Sequence, residues 1–339
     1  MTYRMPAEWT PHERTWMAWP SPNPTFANDA ELAGARAAWA TVARAVRRFE
    51  PVTMVVAPGG ADSARALLGD DVELLECGLD DAWMRDIGPT FVTDEYGRLA
   101  AVDWVFNGWG RQGWARWQYD AAVARHVADA AGVPLLGSDL VNEGGAIHVD
   151  GEGTVLLTDT VQLGEGRNSD WSREEVEREI HAKLGTTKAI WLPHGLTADY
   201  GLFGTRGHVD IVATFARPGT VLVHSQQDPD HPDHERSRLY VDLLRGATDA
   251  QGRPLEVVEV LAPTVLKDED GDWVDYSYIN HYLCNGGVVL CAFDDPHDEI
   301  AAGILRRLYP EREVVLVDAR PIFAGGGGVH CITQQQPAV

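Results

Sequence analysis

Near the end of the chain a cysteine is framed by glycine: Gly325-Gly326-Gly327-Gly328-Val329-His330-Cys331. Four glycines strip side chains from one side of the thiol, so a ligand can approach the backbone closely and the chain can take positive φ values. Such a run frays unless it is paired, and Ile332-Thr333-Gln334 just after it carries a strand pattern. Upstream, Asp86, Glu143, His208 and Asp210 supply three carboxylates and an imidazole. Together with the thiol they suit a planar cation. A guanidinium presents N–H donors in a fork, and Asp86, Glu143 and Asp210 can accept them in pairs. Its central carbon is a poor electrophile in water but open to a thiolate once the cation is oriented. Cys331 is the nucleophile in this reading, and its proton is lost more easily beside a positive charge, either the substrate or protonated His208. His208 then protonates departing ammonia and later takes a proton from water. Taken singly, each residue has a plainer reading: a Gly-rich tail with an incidental cysteine, a turn carboxylate, a core histidine.

Composition narrows the partners. The chain has 339 residues, 45% of them hydrophobic, as in an ordinary globular protein. Its formal net charge of -23 argues against nucleic acid and anionic membranes and favours a cationic small molecule. No apolar run reaches the roughly 18 residues of a membrane span, and the first residues lack the apolar core of a signal peptide, so a cytoplasmic setting is expected. Cys77, Cys284, Cys291 and Cys331 show no C-x-x-C spacing, so free thiols are expected rather than disulfides or zinc. His224, His231 and His234, with Asp228, Asp230 and Asp233, lie in a proline-broken acidic stretch that reads as solvated surface rather than a metal site. Neither metal nor organic cofactor is called for, and a homo-oligomer is left open.

The elements that must hold these groups repeat. The opening is aromatic and ends in a loop at Pro20-Ser21-Pro22-Asn23-Pro24; a helix is expected over 32–49 and a buried strand over 51–57. Then a unit of hairpin, helix and strand recurs. The first has a hairpin over 85–106, a helix over 119–131 and a strand over 133–136. The second has 143–159, 172–184 and 188–192; the third 208–224, 234–245 and 255–261; the fourth 276–293, 297–309 and 313–317. Hairpin turns fall at Asp94-Glu95-Tyr96-Gly97, Asp150-Gly151-Glu152-Gly153, Arg217-Pro218-Gly219 and Asn285-Gly286-Gly287. A fifth unit is split, the strand around Cys331 pairing with the N-terminal segment. Five units closed in a ring make one α/β domain over 1–339 with no free sheet edge, as in propellers. The ring would bring the starts of the hairpins, and so Asp86, Glu143, His208 with Asp210, and Cys331, to equivalent places around one pseudo-axis.

Seven stretches also match a family pattern: Met5-Pro6-Ala7-Glu8-Trp9, Asp80-Asp81-Ala82-Trp83-Met84-Arg85-Asp86-Ile87-Gly88-Pro89, Asn107-Gly108-Trp109-Gly110, Glu143-Gly144-Gly145-Ala146-Ile147-His148, Gly207-His208-Val209-Asp210, Ser277-Tyr278-Ile279-Asn280, and 325–335. In these the chain resembles the agmatine deiminases of the guanidine-modifying (pentein) superfamily. The resemblance implies a five-bladed α/β propeller and the hydrolysis of agmatine to N-carbamoylputrescine and ammonia, a step toward putrescine, through a covalent thiouronium and without cofactor. It implies Cys331 as nucleophile, His208 as acid and base, Asp86 and Asp210 as guanidinium ligands, and Glu143 as helper of His208. Trp83 and Gly328 are implied on the substrate side, with core packing as the other reading of Trp83. One departure is Tyr200-Gly201-Leu202-Phe203-Gly204-Thr205-Arg206, where agmatine-specific members carry acidic and small polar residues. If Arg206 faces the cavity mouth, a guanidino acid such as arginine or 4-guanidinobutyrate becomes the alternative substrate. Arg206 and His208 share a face only if a strand begins before Gly207. An amidinotransferase is the second alternative.

Overall fold

The computed structural model describes residues 2–268 and 271–339. Its strands form five separate sheets with one plan: an antiparallel pair, followed by a strand running parallel to the pair's second member. A parallel neighbour cannot be reached by a tight turn, so each unit needs a helical crossover. The first unit pairs Thr90–Asp94 with Leu99–Val105 and adds Leu135–Val141. The second uses His148–Val149, Thr154–Thr158 and Lys188–Leu192. The third uses Ala213–Arg217, Thr220–Ser225 and Glu256–Leu261, and the fourth Tyr282–Cys284, Gly287–Ala292 and Glu313–Asp318. In the fifth, Gln334–Pro337 lies antiparallel on His12–Ala18, which continues in parallel to Val52–Val56 and Glu73–Glu76.

The crossover helices follow from local signals. Arg173–Leu184 starts with a capping box, Ser172 and Glu175 each satisfying the other's backbone N–H, and stops at left-handed Gly185. Asp29–Val46 is capped by the Asn28 side chain and buries Leu32, Ala35, Trp39, Val42 and Val46 on one stripe. The largest apolar core runs from this helix into strands Val52–Val56 and Gly287–Ala292 and reaches Trp83 and Cys331. Among the described residues no helix is long and apolar enough to cross a membrane.

Some boundaries depart from expectation. The expected helix over 119–131 opens with a 3-10 turn, Asp120–Ala122, before the α-helix Val123–Ala131. The strand expected over 133–136 runs instead Leu135–Val141: Pro134 has no N–H to give, and only its carbonyl joins the ladder, accepting from Ala101 at 2.9 Å. Cys331 is not on a strand. Its segment is a tight turn, closed by the Thr333 N–H on the His330 carbonyl (3.1 Å) and the Thr333 hydroxyl on that of Val329 (3.0 Å), and pairing begins at Gln334.

The terminal strands are joined by side chains as well as backbone. The Trp16 indole donates to Gln336 at 2.9 Å and Arg85 Nη1 to Gln335 at 2.8 Å. Beside them the buried Glu50 carboxylate accepts the Asn285 N–H of the fourth hairpin turn (2.6 Å), the Thr15 hydroxyl (2.5 Å) and His12 Nδ1 (3.0 Å). Glu50→Ala leaves these donors buried and unpaired, and should lower unfolding free energy by about 3 kcal/mol in a denaturant titration. Glu313→Ala, which removes the half-exposed Arg48–Glu313 pair, should move the midpoint far less; equal losses would contradict this account.

Candidate active site

Every unit enters its hairpin through a single turn of chain. In the first four units the turn is helical: Met84–Ile87, Gly144–Ala146, Val209–Ile211 and Tyr278–Asn280. In the fifth it is the turn around Cys331. These turns carry Asp86, Glu143, His208 with Asp210, Asn280 and Cys331, all buried. Asn280 is the member that sequence reasoning left without a role. The signal was there, because it ends the Ser277-Tyr278-Ile279-Asn280 stretch at the place in the fourth unit that the other four fill.

His208 stands at the centre. Its Nε2 lies 3.3 Å from Glu143 Oε2 and its Nδ1 3.8 Å from Asp86 Oδ1. Cys331 Sγ is 3.7 Å from Asp210 Oδ2. The Asn280 side-chain oxygen accepts the His330 N–H at 3.0 Å, and its Nδ2 and Oδ1 lie 3.3 and 3.4 Å from the Cys331 sulfur. Asp86 is fixed by the Trp109 indole on Oδ2 (2.9 Å) and the Gly145 N–H on Oδ1 (3.0 Å). Gly145 cannot carry a side chain: a Cβ would stand 2.5 Å from His208 Nδ1 and 3.0 Å from both Asp210 Oδ2 and Asp86 Oδ1. Two buried polar atoms here, His208 Nδ1 and Asp210 Oδ1, have no hydrogen-bond partner. Burial without a partner is costly, and both atoms suit a ligand that can donate to the carboxylate and exchange a proton with the imidazole.

Glu143 is placed differently from a free ligand. Both its oxygens are held by Arg167 Nε, at 3.0 and 3.1 Å, and Arg167 Nη2 donates to the Thr205 carbonyl at 2.8 Å. With Arg167 on one side and His208 on the other, both Glu143 oxygens are engaged, whereas Asp210 keeps Oδ1 without a partner. Nothing in the sequence around Arg167 distinguishes it from a surface arginine.

Trp83 packs edge-on against core Trp39 (5.5 Å between ring centres), and its ring lies beside Gly325 and Gly327. At Gly328 a Cβ would meet the Asn280 oxygen at 2.5 Å and the Phe323 ring at 2.7 Å, so glycine is needed there for close approach. Arg206 lies on no strand; the next one starts at Ala213. Asp199 accepts the backbone N–H groups of Thr205, Arg206 and Gly207 at 2.6, 2.9 and 2.6 Å, holding Arg206 at φ 68 and Gly207 at φ 123. The face argument for Arg206 therefore does not apply, and its half-buried guanidinium makes no hydrogen bond or ion pair with a described residue. His224, His231 and His234 go to separate partners, the Ser277 hydroxyl, Asp233 and the Gln226 carbonyl. Among the described residues no three potential metal ligands converge.

Burial and charge set the protonation states. Burial alone would lower His208, but Asp86, Glu143 and Asp210 outweigh it and push it up to about 9. Burial, with repulsion from Asp210 and Glu143, lifts Asp86 to about 6 despite His208. Burial also works against the Asp210 and Glu143 carboxylates, yet His330 and His208 hold the first below its usual range, and Arg167 and His208 the second. The Cys331 thiol is pushed well up by burial and then by Asp210 and Asp86. The site is thus arranged as a thiol, an imidazolium and carboxylates, ready for a cation that would change the balance at sulfur.

Comparison with known proteins gives concordant results. Residues 4–337 match the model of the Porphyromonas-type peptidyl-arginine deiminase family. A Streptomyces coelicolor protein, provisionally named an agmatine deiminase, is 79% identical over 99% of this chain and 99% of its own length. The agmatine deiminase of Pseudomonas aeruginosa is 42% identical, over 99% and 96% of the two chains. The structure of the Enterococcus faecalis agmatine deiminase superposes with a TM-score of 0.93 at 33% identity, over 99% of this chain and 96% of that one.

The histidine geometry can be tested without turnover. In a nitrogen-detected NMR titration His208 should remain an imidazolium up to pH about 9, and Glu143→Gln should lower that midpoint by about one unit or more. A midpoint near the ordinary histidine value in the wild type would mean that the carboxylates do not outweigh burial.

Proposed function

The chain belongs to the Porphyromonas-type peptidyl-arginine deiminase family, and on that premise we propose that it hydrolyses agmatine to N-carbamoylputrescine and ammonia, with Cys331 as nucleophile. The carrying observation is the cradle: the Asp86 carboxylate lies 3.8 Å from His208, the Cys331 sulfur lies 3.7 Å from Asp210 Oδ2, and Asp210 Oδ1 has no partner. A guanidinium donates N–H groups to both carboxylates, which fixes its plane and brings its central carbon to the thiol. Its positive charge opposes the two carboxylates that keep Cys331 protonated, so binding itself favours release of the thiol proton to solvent, the already protonated His208 being unable to take it. The thiolate adds to the carbon. The carbon–nitrogen bond to the leaving group breaks, and His208, protonated in the resting site, supplies the proton that lets nitrogen depart as ammonia. The S-alkylthiouronium left on Cys331 is attacked by water, whose proton His208 takes back, and the carbon–sulfur bond breaks to release the ureido product.

Further features fit this reading. The five sheets serve as blades of a closed five-bladed propeller, one catalytic domain over 1–339 sealed by the pairing of Gln334–Pro337 with His12–Ala18. The net charge of -23 draws a dication toward the protein. The guanidino-acid alternative turns on Arg206, and comparing turnover of agmatine, arginine and 4-guanidinobutyrate in the wild type and in Arg206→Ala tests it. Cys77, Cys284 and Cys291 are buried and unpaired, as suits a reducing cytoplasm, where the product would feed putrescine formation. Ammonia release from agmatine with no acceptor amine present separates hydrolysis from amidino transfer.

Cys331→Ala should fold and bind agmatine but show no turnover, and rapid quenching of the wild type should trap the amidine mass on the Cys331 peptide; trapping on Cys291 instead would remove the assignment. The pH profile of kcat/KM should be a bell. Asp86 must be ionised to accept N–H groups, so activity falls as pH drops through about 6. His208 must be protonated to serve the leaving group, so activity falls again as pH rises through about 9. A profile flat from pH 5 to 7 would deny Asp86 this role.

A further inference from the structure

Against Asp210 lies a second buried histidine. His330 Nδ1 is 2.7 Å from Asp210 Oδ2, and its Nε2 is 2.9 Å from Glu8 Oε2. Both distances are those of charge-assisted hydrogen bonds. A neutral imidazole has one donor and one acceptor nitrogen, whereas here each nitrogen faces a carboxylate oxygen, an arrangement satisfied by two N–H donors. Glu8 is held in turn by the Leu283 N–H on Oε1 at 2.8 Å, and His330 and Glu8 are 2% and 6% exposed. The other charged or titratable groups facing His330 are Arg85, whose Nε donates to the His330 carbonyl at 3.3 Å, and His148 and His281. Beside the string a void of about 10 Å³ offers room for one water at most.

We propose that Glu8 and His330 are positioning residues for the deimination: the Glu8–His330 pair grips Asp210 by Oδ2 and so presents the Asp210 carboxylate to the substrate guanidinium through Oδ1. The inference rests on Asp210 being a guanidinium ligand. The unpartnered state of Oδ1 then follows, because the other oxygen is committed to His330. The string also accounts for the nature of residue 330. An uncharged donor would hold Asp210 in place but would not offset a carboxylate that shares its buried site with Asp86 and Glu143.

The test uses agmatine binding by calorimetry across pH 5 to 9, with Cys331→Ala as background to prevent turnover. With the string intact, affinity should fall at low pH with the uptake of one proton, at Asp86. In Glu8→Gln/His330→Gln, which removes both charges together and strands neither, Asp210 loses its buried counter-ion and should titrate up to a few units higher, alongside Asp86. The fall should then steepen to two protons, and affinity at pH 6 should drop about tenfold or more, recovering toward the parent value near pH 9. A double variant with unchanged slope and affinity but a lower melting temperature would overturn the proposal in favour of a purely structural role. If Asp210→Asn itself binds agmatine normally, the ligand reading of Asp210 has failed, which is a different result. Should the double variant not fold, nitrogen-detected NMR of the wild type decides: His330 doubly protonated across pH 6 to 9 supports the string, and a neutral tautomer overturns it.

Discussion

The architecture is constrained by the burial of many charges in one small volume. Glu8, Asp86, Glu143 and Asp210 are all within the interior, and His208, His330, Arg85 and Arg167 are buried with them. Each of these groups is costly alone in a medium of low dielectric, and breaking one member of such a set typically costs about 3–5 kcal/mol. The fold meets the requirement by drawing partners from different units. His208 of the third unit lies against Glu143 of the second and Asp86 of the first, and His330 of the fifth holds Asp210 of the third. The same contacts that make the charges tolerable also join the units to one another.

Much of this was legible in the sequence, and the reason is periodicity. The strand expected over 188–192 is observed as Lys188–Leu192, and the four hairpin turns fall where Gly, Pro, Asn and Asp clusters place them. Alternation of apolar residues, turn chemistry and caps are local properties, and local properties can be read along a chain. The repeat then carried the argument from elements to site, because equivalent places in successive units had to converge.

What could not be read is what depends on partners distant in sequence. Glu8 and His330 are separated by 322 positions and Arg85 and Gln335 by 250, so no window of sequence contains either pair. Arg206 is instructive for a related reason. Its local pattern leaves a strand open, but Asp199 collects three consecutive backbone donors and bends the segment into left-handed conformations that no propensity of arginine would suggest. At Cys331 the local pattern favours a strand, because Ile332 and Thr333 suit one. There the Thr333 hydroxyl bonds the Val329 and His330 carbonyls instead, and the turn prevails.

The pairing of Gln334–Pro337 with His12–Ala18 has a consequence for how the protein is made. During synthesis the strand His12–Ala18 emerges more than 300 residues before its antiparallel partner, and at roughly 5–20 residues per second that interval is at least about 15 seconds. Through that time one side of the strand is an open edge, able to pair with the same strand of another nascent chain. Cys331 arrives with the closing segment, so a polypeptide released early would hold the Asp86, Glu143, His208 and Asp210 turns without it. The pairing of Gln334–Pro337 with His12–Ala18 thus comes last in synthesis, and the Cys331 turn is set against the other entry turns with it.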